Sequence, residues 1–86
     1  MAYLVEFKAE ALSGLERLSQ KNQERVLRKI HWLTENFEQL TPQALTGDLS
    51  SLFKLRIGNY RVLYSFNDET EMITIHRLGH RSEIYL

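Results

Sequence analysis

Lys54, Arg56, Arg61, Arg77 and Arg81 fall within one short stretch of the chain, together with His76, His80 and Tyr85. Guanidinium groups present planar donors that match phosphate oxygens, and they keep their charge at any physiological pH. An imidazole or a phenol beside them can exchange a proton with a reacting hydroxyl. Residues 52–86 hold five Lys+Arg against four Asp+Glu, and three of those acids lie close together at Asp68, Glu69 and Glu71. A local positive face is therefore compatible with a net charge of zero, and a phosphate responds to the local field. Other chemistries find less support. His76 and His80 are four apart but not on a helix, and no third metal ligand is obvious. Gly14, Gly47, Gly58 and Gly79 are scattered, so no glycine-rich phosphate loop exists.

Strands must position these groups. Phe53-Lys54-Leu55-Arg56-Ile57 alternates, which predicts Lys54 and Arg56 on one face and the apolar set on the other. Gly58-Asn59 is a two-residue turn signal, and Tyr60 to Phe66 reads as the returning strand, beginning with Arg61 across from Arg56. Asn67 to Thr70 is a polar turn, and Glu71 to Leu78 is a third strand rich in β-branched residues. Gly79-His80-Arg81 breaks it, with a short last strand possible over Ser82 to Tyr85. Gly79 permits a bend that brings His80 and Arg81 back over the sheet.

Tyr3, Val5 and Phe7 alternate and predict a short opening strand. Ala11, Leu12, Leu15 and Leu18 follow helical spacing, interrupted by Gly14. Ser19 suits an N-cap for a second helix, whose apolar stripe is Val26, Ile30, Leu33 and Phe37, flanked by Leu27 and Trp32. Thr41-Pro42 ends this region, and Gln43 to Ser51 has loop composition. The expected fold is α+β, in the order β-α-α-β-β-β with a further strand possible. Two N-terminal helices pack on one face of an antiparallel sheet, leaving the other face free.

The length of 86 residues allows one domain, spanning 1–86, with no linker or repeat. The absence of cysteine excludes disulfides and thiolate metal sites. No apolar run reaches the length of a membrane helix, and the N-terminus lacks a signal-peptide pattern. The expected location is the cytoplasm, with no membrane partner.

Three segments carry a resemblance. Leu45-Thr46-Gly47-Asp48 leads to Phe53-Lys54-Leu55-Arg56; Gly58-Asn59-Tyr60-Arg61-Val62-Leu63-Tyr64 follows; and Leu78-Gly79-His80-Arg81-Ser82-Glu83-Ile84-Tyr85 closes the chain. With the start Met1 to Phe7, they resemble the RelE/ParE superfamily of bacterial toxins, and the RelE type in particular. The resemblance implies the toxin of a type II toxin–antitoxin system. Such a toxin is a ribosome-dependent endoribonuclease that cuts mRNA in the decoding site and inhibits translation. It works without a cofactor and is held inactive by a cognate antitoxin in a hetero-oligomer. The implied catalytic positions are Lys54, Arg61, Arg81 and Tyr85, with Arg56 nearby; the residue types add His80 as a competitor for proton transfer, and Arg56 and Arg77 as RNA contacts. Leu52 departs from the pattern, because the strongest RelE members carry an additional lysine there.

The residue types suggest roles for that reaction. A ribose 2′-oxygen attacks the adjacent phosphorus, and the bond to the 5′-oxygen breaks. Arg61 and Arg81 would stabilise the charged phosphorane, Lys54 would neutralise the phosphate, and Tyr85 or His80 would move the proton. Two other readings stand beside this one: a ParE-type inhibitor of DNA gyrase, and a non-catalytic antitoxin-binding homologue.

Overall fold

The computed structural model describes residues 2–44 and 51–84. Strand β1 (Leu4–Phe7) is followed by helices α1 (Ala9–Glu16) and α2 (Gln20–Asn36). A single 3-10 turn, Phe37–Gln39, then leads to β2 (Gln43–Ala44), β3 (Phe53–Ile57), β4 (Tyr60–Asn67) and β5 (Met72–His80). The sheet order is β1-β5-β4-β3-β2. The β3-β4-β5 meander is antiparallel, as its turns predict. Strand β1 joins β5 in parallel, with Val5 opposite Ile73 and Phe7 opposite Ile75. The sheet is thus mixed. A parallel neighbour requires a long crossover, and here the two helices and the meander lie between the paired strands.

Both helices cover one face. Val26, Ile30, Leu33 and Phe37 from the α2 stripe are buried against Leu55, Ile57, Val62, Tyr64, Ile73, Ile75 and Leu78. Leu27 and Trp32, the flanking pair, remain exposed. Ser19 caps α2 as its side chain accepts from the Asn22 N–H at 3.3 Å. Tyr3, Phe37, Phe66 and Phe53 form an aromatic cluster at one end of the core. The Phe37 ring lies 4.8 Å from both Tyr3 and Phe66, and Phe53 lies 5.0 Å from Phe66.

Helix α1 is short and lies close to the sheet. A Cβ placed on Gly14 would stand 2.2 Å from the Leu78 carbonyl oxygen. The glycine that weakens the helical pattern is what lets α1 approach β5.

Two further segments differ from the sequence reading. The loop expected over 43–51 begins with two strand residues, since Gln43 pairs with Lys54 and Ala44 with Phe53; residues 45–50 lie outside the described part. The last strand, expected over 82–85, is absent from Ser82 to Ile84. The N–H groups of Glu83 and Ile84 both donate to the His80 carbonyl at 2.9 and 3.1 Å. That local turn uses the backbone groups a strand would have offered.

Two phenols couple this fold to pH. The Tyr3 hydroxyl donates to Asp68 Oδ1 at 2.8 Å, and that bond, with burial and the carboxylate's charge, pushes its pKa up to about 12. Burial alone pushes Tyr64 up to about 12. Both start from 10.0 when unfolded. Their contribution is complete below pH 10 and disappears as the pH rises through 12. Urea midpoints measured across this interval should fall, and the fall should be smaller in Tyr3→Phe.

Candidate active site

The sheet face away from the helices gathers the cations. Register across the meander sets them in rungs. Lys54 pairs with Leu63, which pairs with Arg77; Arg56 pairs with Arg61, which pairs with Gly79. Adjacent strands lie about 4.8 Å apart, so each three-residue rung spans roughly 10 Å. Lys54 and Arg77 are half-buried and Arg56 is exposed. A Cβ on Gly79 would meet nothing within 4 Å, so the second rung ends in an open notch. Arg81 lies just past the end of β5. Its N–H donates to the Asn59 carbonyl at 2.8 Å, which fixes its backbone against the β3–β4 turn while the residue stays exposed.

Arg61 is placed differently from the outward-facing cation that strand spacing implies. It is 6% exposed, and its Nη1 donates to the carbonyls of Gly58 and Tyr60 at 2.8 and 2.9 Å. These bonds close the β3–β4 turn, where Gly58 has a φ of 56°, a left-handed conformation natural to glycine. Arg61 therefore clamps the turn from which Asn59 holds Arg81. Arg61→Ala should lower unfolding free energy by about 1.5–3 kcal/mol, the usual worth of hydrogen bonds to a charged group. Urea denaturation checks this, and an unchanged midpoint would contradict the clamp.

The two imidazoles part company. His80 has its ring edge-on to Tyr60, with centroids 5.9 Å apart. Its Nδ1 shares a hydrogen bond with Ser82 Oγ at 2.8 Å and accepts from the Ser82 N–H at 3.1 Å. Tyr60 in turn packs on the core and accepts from Asn22 Nδ2 at 3.0 Å. His80 therefore sits on the helix side, in a cleft of about 320 Å³ with Arg17, Leu18 and Glu83. The expected fold-back of His80 over the cation face does not occur. His76 stands on that face instead, its Nε2 2.7 Å from Ser65 Oγ.

A bulge sets these two places. Leu63 pairs with Arg77 but Tyr64 pairs with Ile75, so the alternation of β5 slips by one residue at His76. Ile73 and Ile75 face the core before it and Leu78 after it. Counting by twos from Gly79 puts His76 on the wrong side, and only the apolar spacing Ile75 to Leu78 hints at the slip. Burial lowers the His76 pKa, with Lys8 and Arg77 adding to the effect and Glu6 opposing it. Burial and these cations thus favour the neutral imidazole. Arg77 Nε also lies 3.4 Å from Glu10 Oε1, so part of its charge is turned toward α1. Tyr85 falls outside the described residues. No group of three or more metal-ligating side chains occurs among the described residues, and no described helix is long and apolar enough to cross a membrane.

The described residues form an α+β domain, with a two-helix layer on one face of a five-stranded mixed sheet and cations gathered on the other. The chain matches the ParE toxin model of type II toxin–antitoxin systems, parDE, over residues 5–85. It belongs to that family, within the RelE/ParE superfamily. It is 42% identical over 41 residues to Toxin RelG of Mycobacterium tuberculosis, an alignment covering 48% of this chain and 47% of the relative. The chain thus spans about half the length of that curated relative. Solved structures match along nearly the whole chain. The M. tuberculosis RelBE2 toxin–antitoxin complex superposes with a TM-score of 0.85 at 27% identity, covering 96% of this chain and 95% of the other. The isolated E. coli RelE toxin gives 0.75 at 25% identity, covering 98% and 92%. The archaeal RelE–RelB complex from Pyrococcus horikoshii gives 0.71 at 28% identity, covering 96% and 99%.

Proposed function

We propose that this toxin is a ribosome-dependent endoribonuclease that cleaves mRNA and thereby stops translation. The observation that carries the reading is the cation face itself, with Lys54 and Arg56 on adjacent rungs of β3 and Arg81 held at the end of β5. The likeness to RelE structures supports the same reading. The substrate's 2′-oxygen attacks the scissile phosphorus as its proton leaves, and a five-coordinate phosphorane forms. Lys54 and Arg81 stabilise its charge. The P–O5′ bond then breaks, leaving a 2′,3′-cyclic phosphate and a protonated 5′-oxygen. Arg61 contributes by shaping the turn that positions Arg81. Tyr85 carries the proton in this scheme, because His80 is turned to the helix side. Arg56 and Arg77 hold the flanking RNA.

A neutral chain with few cations on this face holds RNA weakly by itself, so the ribosome presents the message. A cognate antitoxin masks the site; the solved complexes of RelE relatives support such a partner. The protein acts in the cytoplasm. Primer extension on mRNA from cells expressing it should show codon-phased cuts.

A second reading has its own support. The matching family model is that of ParE toxins, which favours inhibition of DNA gyrase. Intact mRNA with accumulating gyrase-cleaved DNA would establish that reading and overturn the first.

A further inference from the structure

A second cationic cluster lies outside the sheet face. Arg25, Arg28, Lys29 and Trp32 recur on one side of α2 at the spacing that brings helical residues together. With Arg56, Ile57 and Gly58 they line a cleft of about 450 Å³ between α2 and the β3–β4 turn. Among the described residues, four cations line it and no carboxylate does. Trp32 is 39% exposed, and Lys29 Nζ lies 3.8 Å from its ring centroid. The Arg25 guanidinium occupies the space a side chain at Gly58 would take, since a Cβ there would stand 2.6 Å from Nη2.

Core packing does not account for this group. The apolar stripe of α2 is the separate set Val26, Ile30 and Leu33, all buried. In a chain of zero net charge, four cations held around one cleft are unfavourable until an anion joins them. Arg56 belongs to this cleft and also to the cation face, so the two surfaces meet across β3. An acidic protein segment would satisfy the charge alone. A nucleic-acid strand satisfies the charge and also uses the exposed indole, because bases stack on aromatic rings beside a cationic track.

We propose that the α2–β3 cleft binds the phosphodiester backbone of RNA, with a base against Trp32, as an extension of the cation face. The inference rests on the RNA-cleavage reading for its choice of polyanion. The RNA would be either message flanking the cut or ribosomal RNA.

The test measures binding of the full chain and of Arg25→Gln/Arg28→Gln to two probes: a fluorescein-labelled uridine oligonucleotide, and small ribosomal subunits free of message. Arg28→Glu serves as a second variant, and thermal midpoints certify folding. The expected result is a loss of about tenfold or more in affinity, with the salt slope reduced by roughly one for each cation removed. Loss on the oligonucleotide assigns the cleft to message, and loss on the subunits assigns it to ribosomal RNA. Unchanged affinity for both probes in folded variants would overturn the proposal. So would a polyglutamate peptide that binds as tightly as the oligonucleotide and is weakened as much. Because the readout is binding, a protein that holds RNA here yet leaves messages intact would refute cleavage and spare the cleft.

Discussion

Arg81→Ala should reduce message cleavage by about 10²–10³-fold while leaving the thermal midpoint unchanged. The magnitude is that of removing one positioned donor from a developing anion, roughly 3–4 kcal/mol. The selectivity follows from how the residue is held. Arg81 is exposed, and its contact with the turn runs through the backbone N–H to Asn59, which alanine keeps. Arg61→Ala should behave otherwise, because its side chain is buried and bonded to two carbonyls. Stability and cleavage fall together there. Comparing single-turnover cleavage with urea midpoints in the two variants tests whether Arg81 acts on the phosphate while Arg61 builds its support. Full cleavage by folded Arg81→Ala would remove the residue from the site.

Gly14→Ala should destabilise the domain by roughly 3 kcal/mol, although the substitution improves helix propensity by about 1 kcal/mol. The new methyl would stand 2.2 Å from the Leu78 carbonyl oxygen, and the obstacle is backbone rather than a mobile side-chain tip. Either α1 lifts from β5 or the strand bends away. Ala11 and Leu78 both sit in the core contact that would open. A small domain has about 5–15 kcal/mol to lose in total, so the urea midpoint should fall sharply. A midpoint equal to or above wild type would show that α1 rides higher on the sheet than described.

The elements that follow from simple periodicity were legible in the sequence. The stripe Val26, Ile30, Leu33 and Phe37 identified α2 and its buried face, Ser19 marked its start, and the Gly58-Asn59 turn fixed the β3–β4 hairpin. Three features escaped for physical reasons. The partner of β1 is remote in sequence, and nothing in Leu4–Phe7 specifies a parallel neighbour. The bulge at His76 reverses alternation within one strand, so that His80, expected over the cation face, lies on the helix side and His76 stands on that face. Arg61 has outward parity yet is buried, because the carbonyls it bonds lie in the adjacent turn. Gly14 was visible as a flaw in a helix, and its purpose appeared only when β5 was found against it. Helical spacing alone does not mark the cations of α2 as a site, because Arg56 and the β3–β4 turn that complete the cleft are remote in sequence.

Cleavage of a defined message by purified protein and ribosomes tests the central claim most directly. A message paused with its codon in the decoding site should be cut only when both ribosome and protein are present. The upstream fragment should end in a 2′,3′-cyclic phosphate, and a single 2′-deoxyribose at the cut position should abolish the reaction. A message that stays whole on the ribosome, or one cut equally well with the 2′-hydroxyl removed, would contradict the account.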